Sequence, residues 1–251
     1  VVAAAVVASL GALAAPAAAG SDFTTSMDMG DRCVQVNNPP SGGNLTLIQR
    51  RGTTTLATVT KPATSGVKAC LTLLKAGDKV IIKQGGATIR TVTIPGLTLK
   101  MDRAGETISI SAPAGGAFDM LWLTDFIAGT FSQAGAWPVA AVTDPQNASR
   151  VVYTQDTSLL AHPMTGGDEA RTIWVDGAGN VFRLRAALPS VVMMNTIWKL
   201  SGRAKNGSTP TITVRDGSVV KGSLGATASR INGRWNGTVT KNGRAVPIEP
   251  G

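Results

Sequence analysis

The chain has 251 residues, with 24 Lys+Arg against 15 Asp+Glu and a formal charge of +9. Its 43% hydrophobic content is enough to build packed cores rather than a disordered chain. Its 29 Gly follow no three-residue period, which excludes a collagen-like chain, and its one histidine, His162, excludes chemistry that needs several. The length allows one large domain or two to three of about 100 residues.

Residues 1–19 carry no charge and are almost entirely Ala, Val, Leu and Gly, with Ala17 and Ala19 forming an Ala-x-Ala pattern before Gly20. This reads as the apolar core and cleavage region of a secretory signal peptide, clipped at its start because no Met or basic segment precedes it. A transmembrane helix is the competing reading. Ala-rich helices insert weakly, however, and no basic stop-transfer flank follows Gly20. No second candidate span follows, so the expected mature protein is secreted, extracellular and without a membrane span, with the cell surface as a candidate location.

Cys33 and Cys70 are the only cysteines and would close a loop of 38 residues, counting both ends, in an oxidising compartment. The chain-entropy model gives such a bridge roughly 3–4 kcal/mol. Two separate buried thiols are the alternative. A metal site is disfavoured, since neither cysteine has a Cys or His nearby in sequence.

Beyond Gly20 the chain reads as short alternating runs rich in Thr, Val and Ile between turn residues, which predicts strands: 45–48, 79–83, 88–94, 107–110 and 211–214. Residues 190–200 come nearest to a helical pattern, but Val191, Val192, Ile197 and Trp198 suit a strand equally well. Three segments share a strand–turn–strand layout beginning at Val34, Ile108 and Leu200, which lie 74 and 92 residues apart. That spacing fits modules of seven to eight strands with an insertion in the second, where Trp122, Phe126, Phe131, Trp137 and Tyr153 concentrate. The Gly-led strand and loop after Gly66 recur after Gly233. The strand that follows in the first copy has no room before Gly251, so the last module is expected to be incomplete.

The runs at 107–120, 175–182 and 233–239 resemble bacterial immunoglobulin-like repeats, which occur in tandem in secreted and surface-attached proteins. The resemblance implies an all-β chain of tandem immunoglobulin-like β-sandwich modules: signal peptide 1–19, module one 20–98, module two 99–196 and a partial module three 197–251. It is carried by turn chemistry and bears on architecture more than on function.

His162 precedes Pro163 and lies near Asp156, Ser158 and Asp168, but no nucleophile frame surrounds it, so a loop histidine is the expectation. Asp168, Glu169 and Asp176 are weak candidate calcium ligands. Asp176-Gly177-Ala178-Gly179-Asn180 lacks the alternating oxygen donors of a calcium loop, and a hairpin turn is the plainer reading. Of the four Asn-Gly pairs, turns are expected at Asn232 and Asn242, with Asn236-Gly237 inside a strand or a bulge. Trp122, Trp137 and Tyr153 are the candidates for stacking on sugar rings.

Charge is uneven. Residues 31–103 hold 11 basic and 3 acidic residues, 104–200 hold 5 and 8, and 201–251 hold 8 and 2. The basic first module has no aromatic between Arg32 and Arg103, which counts against single-stranded nucleic-acid binding, and no nucleic-acid partner is expected. The functional expectation is a non-catalytic exported structural or adhesive protein that needs no cofactor. Its expected partner is a cell-wall polymer, a glycan or another surface protein. A carbohydrate- or cell-wall-binding accessory module of a larger secreted protein is the alternative, and a secreted hydrolase ranks third.

Overall fold

The computed structural model describes residues 23–127, 130–161, 163–193, 199–230 and 233–248. The expected signal peptide, His162 and the Asn232 turn lie outside the described residues. Everything assigned is strand, turn or bend, and no helix among the described residues is long and apolar enough to cross a membrane.

The first unit has seven strands: β1 (Thr24–Asp28), β2 (Cys33–Asn37), β3 (Asn44–Arg51), β4 (Thr54–Pro62), β5 (Gly66–Cys70), β6 (Lys79–Gln84) and β7 (Ala87–Thr93). They form two layers, β1-β2-β5 and β4-β3-β6-β7. Burial alternates along β2, β3, β5 and β6 as a half-solvated antiparallel sheet requires. Val34, Val36, Val67 and Ala69 of one layer therefore face Leu45, Leu47, Val80 and Ile82 of the other.

The second unit repeats this order with one added strand: β8 (Thr98–Asp102), β9 (Thr107–Pro113), β10 (Gly116–Ile127), β11 (Thr130–Pro138), β12 (Val142–Asp144), β13 (Asn147–Asp156), β14 (Glu169–Asp176) and β15 (Val181–Ala187). Its layers are β12-β13-β9-β8 and β11-β10-β14-β15. The aromatic-rich region is the long β10–β11 hairpin together with Tyr153 on β13. The third unit comprises β16 (Ser190–Met193), β17 (Lys199–Arg203), β18 (Thr211–Asp216), β19 (Val219–Gly225), β20 (Arg234–Thr238) and a short hairpin, β21 (Thr240–Lys241) with β22 (Arg244–Ala245). Here the layers are β16-β17-β20 and β18-β19-β21-β22. The three repeated segments are thus the second and third strands of each unit: β2–β3, β9–β10 and β17–β18. Ser190–Met193 pairs with β17, so strand pairing of the third unit begins ahead of residue 197. Asn242 and Gly243, both at positive φ, make the β21–β22 turn, while Asn236 and Gly237 lie inside β20.

The units are not strung as separate beads. β1 pairs in parallel with β15, matching Ser26 to Val181, Met27 to Phe182 and Asp28 to Arg183. Half of the second sandwich and half of the first thereby become one seven-stranded sheet, β11-β10-β14-β15-β1-β2-β5. The core is continuous across this seam, with Phe23 and Met27 clustering with Trp174, Phe182 and Leu184. At the seam the Asn180 side-chain oxygen accepts from the Thr25 hydroxyl at 2.7 Å and from Arg90 at 3.1 Å, and Arg90 lies 4.6 Å over the Phe23 ring. The third unit packs back on the first. A Cβ on Gly30 would stand 2.4 Å from the Arg230 carbonyl oxygen, and Gly30 has φ +91°, so glycine is required there twice over.

Candidate functional site

A cleft lies on the outer face of the β11-β10-β14-β15 layer. Side chains alternate across a strand, so one residue in two on β10, β14 and β15 faces outward. Leu121, Thr172 and Leu184 point into the sandwich, and the next row, Trp122, Arg171 and Arg185, points out in register. Arg183 follows on β15, two residues before Arg185. Thr124 and Gln133, paired across the bulge in β10–β11, close the other end. The cleft has a volume of about 330 Å³, at the small end of ligand-binding cavities.

Glu169 organises the positive charge. Its carboxylate, 1% exposed, contacts Arg171 Nε and Arg203 Nη1 directly and lies 3.9 Å from Arg185 Nη1. Arg203 belongs to β17 of the third unit, so this cluster also seals the junction between the second and third units. Burial pushes the Arg203 guanidinium below its ordinary pKa, and the Glu169 carboxylate opposes that shift. Arg183 is exposed and makes no ion pair among the described residues. Three of the five basic residues of the acidic 104–200 segment thus converge on one face.

The sugar-stacking candidates do not form a platform. Trp122 lies on the outer face and lines the cleft. Trp137 packs on the core of the second sandwich, its ring lying over Gly135, and Tyr153 packs on the same core from the opposite sheet. The Tyr153 hydroxyl donates to Gln155 Oε1, and burial raises the pKa of the phenol. Of the three stacking candidates only Trp122 lies on the outer face, because period-2 alternation puts Trp137 and Tyr153 on inward positions beside Leu121 and Ile110. Sequence reading passed over Arg171, Arg183 and Arg185. The signal available was the alternating Arg183-Leu184-Arg185 on one strand.

The calcium candidates are spread along β14. Asp168 and Glu169 stand at its start and Asp176 at its end, about 23 Å away at 3.3 Å per residue. Each carboxylate already serves protein donors. Asp168 accepts from the Thr165 backbone N–H at 2.6 Å and from the Thr165 hydroxyl at 3.1 Å, and Glu169 is held by the arginines. Asp176 accepts from Ala178 N–H, Asn180 N–H and the Asn180 amide, which fixes the hairpin turn between β14 and β15. No group of three His, Cys, Asp or Glu suited to a metal gathers among the described residues.

Cys33 and Cys70 are bonded and stand directly opposite in the β2–β5 ladder. The bridge staples two strands of one sheet on its outer face; it does not tie the two layers together. A second cleft, lined by Asp28, Asp31, Cys33, Gln35, Lys68 and Arg183, lies beside it and shares Arg183 with the first.

No family model matches the chain, and no curated protein matches it. Among solved structures it is similar to a tetra-tandem repeat in the extending region of a large adhesion protein, at 14% identity over 88% of this chain and 66% of that one, with a TM-score of 0.23. Ligand-free PulA from Klebsiella pneumoniae is similar at 13% identity over 86% of this chain and 28% of that one, with a TM-score of 0.26. A structure concerned with host cell surface retention of a 1.5-MDa bacterial ice-binding adhesin gives 12%, 89%, 84% and 0.20 in the same order. At these scores the likeness assigns neither activity nor ligand.

Proposed function

We propose that the chain is a non-catalytic structural or adhesive part of an exported protein, built of immunoglobulin-like repeats and acting at the cell surface or in the extracellular space. One observation carries this reading: the seam between the first two units is a strand pair inside a common sheet, with a common core beneath it. Neighbouring domains joined by a linker rock against each other unless the interface is large and apolar. A sheet that runs through the seam makes a rigid body able to hold a binding face at a fixed angle. The disulfide supports export, since such bonds persist in oxidising compartments.

Small-angle scattering together with calorimetry tests the proposal. The expected outcome is one compact particle in which the first two units melt in a single transition. Two independent transitions with a flexible scattering profile would sink the rigid-body reading, and turnover of a polymer by the chain would sink its non-catalytic part.

A second reading, an accessory module that binds carbohydrate or a cell-wall polymer, is favoured by Trp122 standing in an outward cleft beside guanidinium groups. A glycan, a wall polymer or another surface protein is the proposed partner, and nucleic acid is not.

A further inference from the structure

We propose that the cleft on the β11-β10-β14-β15 face binds an acidic polysaccharide, a sugar ring bearing a carboxylate or sulfate, with Trp122 contacting the ring and Arg183, Arg185 and Arg171 holding the anion. This inference deepens the second reading above and rests on it; it is independent of the rigid-body proposal.

Register is the first argument. Trp122 pairs with Arg171 and Arg171 with Arg185, so aromatic, guanidinium and guanidinium form one row about 10 Å long at 4.7–4.9 Å per strand. That is the span of two linked sugar rings at roughly 5 Å each, and the cleft volume of about 330 Å³ matches such a segment. Charge is the second. Arg171 opposite Arg185 is a like-charge cross-strand pair, an arrangement that costs stability. Glu169 offsets only part of it, because the same carboxylate is shared with Arg203. With Arg183 exposed two residues away, the face keeps a positive excess inside a segment whose 8 acidic residues outnumber its 5 basic ones. Guanidinium groups in a fixed fork suit carboxylate and sulfate.

The aromatic count separates the polymer classes. Single-stranded nucleic acid is held by successive stacking platforms, and this cleft offers one, Trp122. One ring flanked by cations fits alternating neutral and acidic sugars better.

Titration calorimetry on the whole chain tests the inference with four probes: a heparin oligosaccharide, an oligogalacturonate, dextran and oligo(dT). Heparin, oligogalacturonate or both should bind, with affinity falling as salt rises; binding of oligogalacturonate shows that a carboxylate suffices, and binding of heparin alone shows that sulfate is needed. Dextran and oligo(dT) should bind at least tenfold more weakly. Trp122→Ala and Arg183→Gln should each weaken binding about tenfold, whereas Arg215→Gln, on the third unit, should leave it unchanged. Arg183 is exposed, so Arg183→Gln tests the idea even where Trp122→Ala disturbs folding. Equal or tighter binding of dextran overturns the acidic specificity while leaving a neutral-glycan reading intact. Preference for oligo(dT), binding unmoved by Arg183→Gln, or no binding of any glycan overturns the inference, and the last removes the accessory-module reading with it.

Discussion

At the scale of single residues, the most informative side chain is Asp78. It is fully buried and receives both Nε and Nη2 of Arg51 at 2.7 and 2.8 Å, the Gln49 amide at 2.8 Å and the Lys75 backbone N–H at 3.0 Å. Gln49, also buried, accepts in turn from the backbone and hydroxyl of Thr72, so the loop between β5 and β6 is tied to β3. Asp168 holds the same place in the second unit. Leu74-Lys75-Ala76-Gly77-Asp78 and Met164-Thr165-Gly166-Gly167-Asp168 each bury the first residue, put the glycine before the Asp at positive φ, and pass the Asp carbonyl to a residue just beyond the unit's last strand, Ile94 or Leu188. This repeated Gly-Asp was legible in the sequence. Judged by charge alone, Asp168 looks like a cation ligand; only its backbone partners show it to be a corner residue. The Arg51 hydrogen bonds, stronger than the opposing effect of burial, hold the Asp78 pKa below the ordinary carboxylate value. A depressed folded pKa means the stabilisation is fully present above the unfolded value of about 3.9 and is lost as pH falls through the lower folded value. Asp78→Asn should therefore cost about 2 kcal/mol at neutral pH. It should also flatten the acid limb of stability below about pH 4. Urea titrations of both proteins at pH 7 and pH 3 check this, and an equal loss at the two pH values would refute it.

At the scale of elements, alternation and turn chemistry made the strands readable, and the repeated strand–turn–strand motif fell on the second and third strands of each unit in chain order, although β18 stands at a sheet edge where β3 and β10 are interior. Both cysteines were legible as a pair, but their position was not. Their side chains face outward because Val34, Val36, Val67 and Ala69 take the inward positions of the same two strands. A bridge on the solvent side of one sheet constrains the unfolded chain and leaves core packing untouched. Reducing it, or replacing both cysteines by Ser, should thus remove roughly 3–4 kcal/mol while opening no cavity. The expected result is a lower denaturation midpoint with unchanged near-ultraviolet circular dichroism of the folded state. Oxidised and reduced chains of equal stability would contradict the loop-closure argument.

At the scale of the whole molecule, what the sequence withheld is long-range. Thr25 and Asn180 meet at the seam although they are 155 residues apart, and no local pattern announces that β1 will find β15. The β1 edge is open because the first unit pairs only its other side, and an open strand edge is a template for any strand that reaches it. β15 is likewise the last strand of its own layer, so each edge covers the other. The boundary with the third unit is held differently, by charge. Arg203 is 4% exposed and Glu169 is 1% exposed, a pair whose desolvation is offset by close contact, with Arg171 and Arg185 supporting the carboxylate while Arg171 opposes the Arg203 charge. Removing the carboxylate leaves a buried guanidinium without its counterion, the costly way to break such a pair. Glu169→Gln should destabilise the chain by about 3–5 kcal/mol. The loss should appear first in the third unit, which the pair docks. Glu169→Gln combined with Arg203→Met should recover much of the loss, because the double change leaves neither charge to be solvated. A double-mutant cycle followed by urea denaturation measures this coupling. Additive losses would show that this pair does not hold the third unit, and Arg171 and Arg185 would then answer to the cleft rather than to the junction.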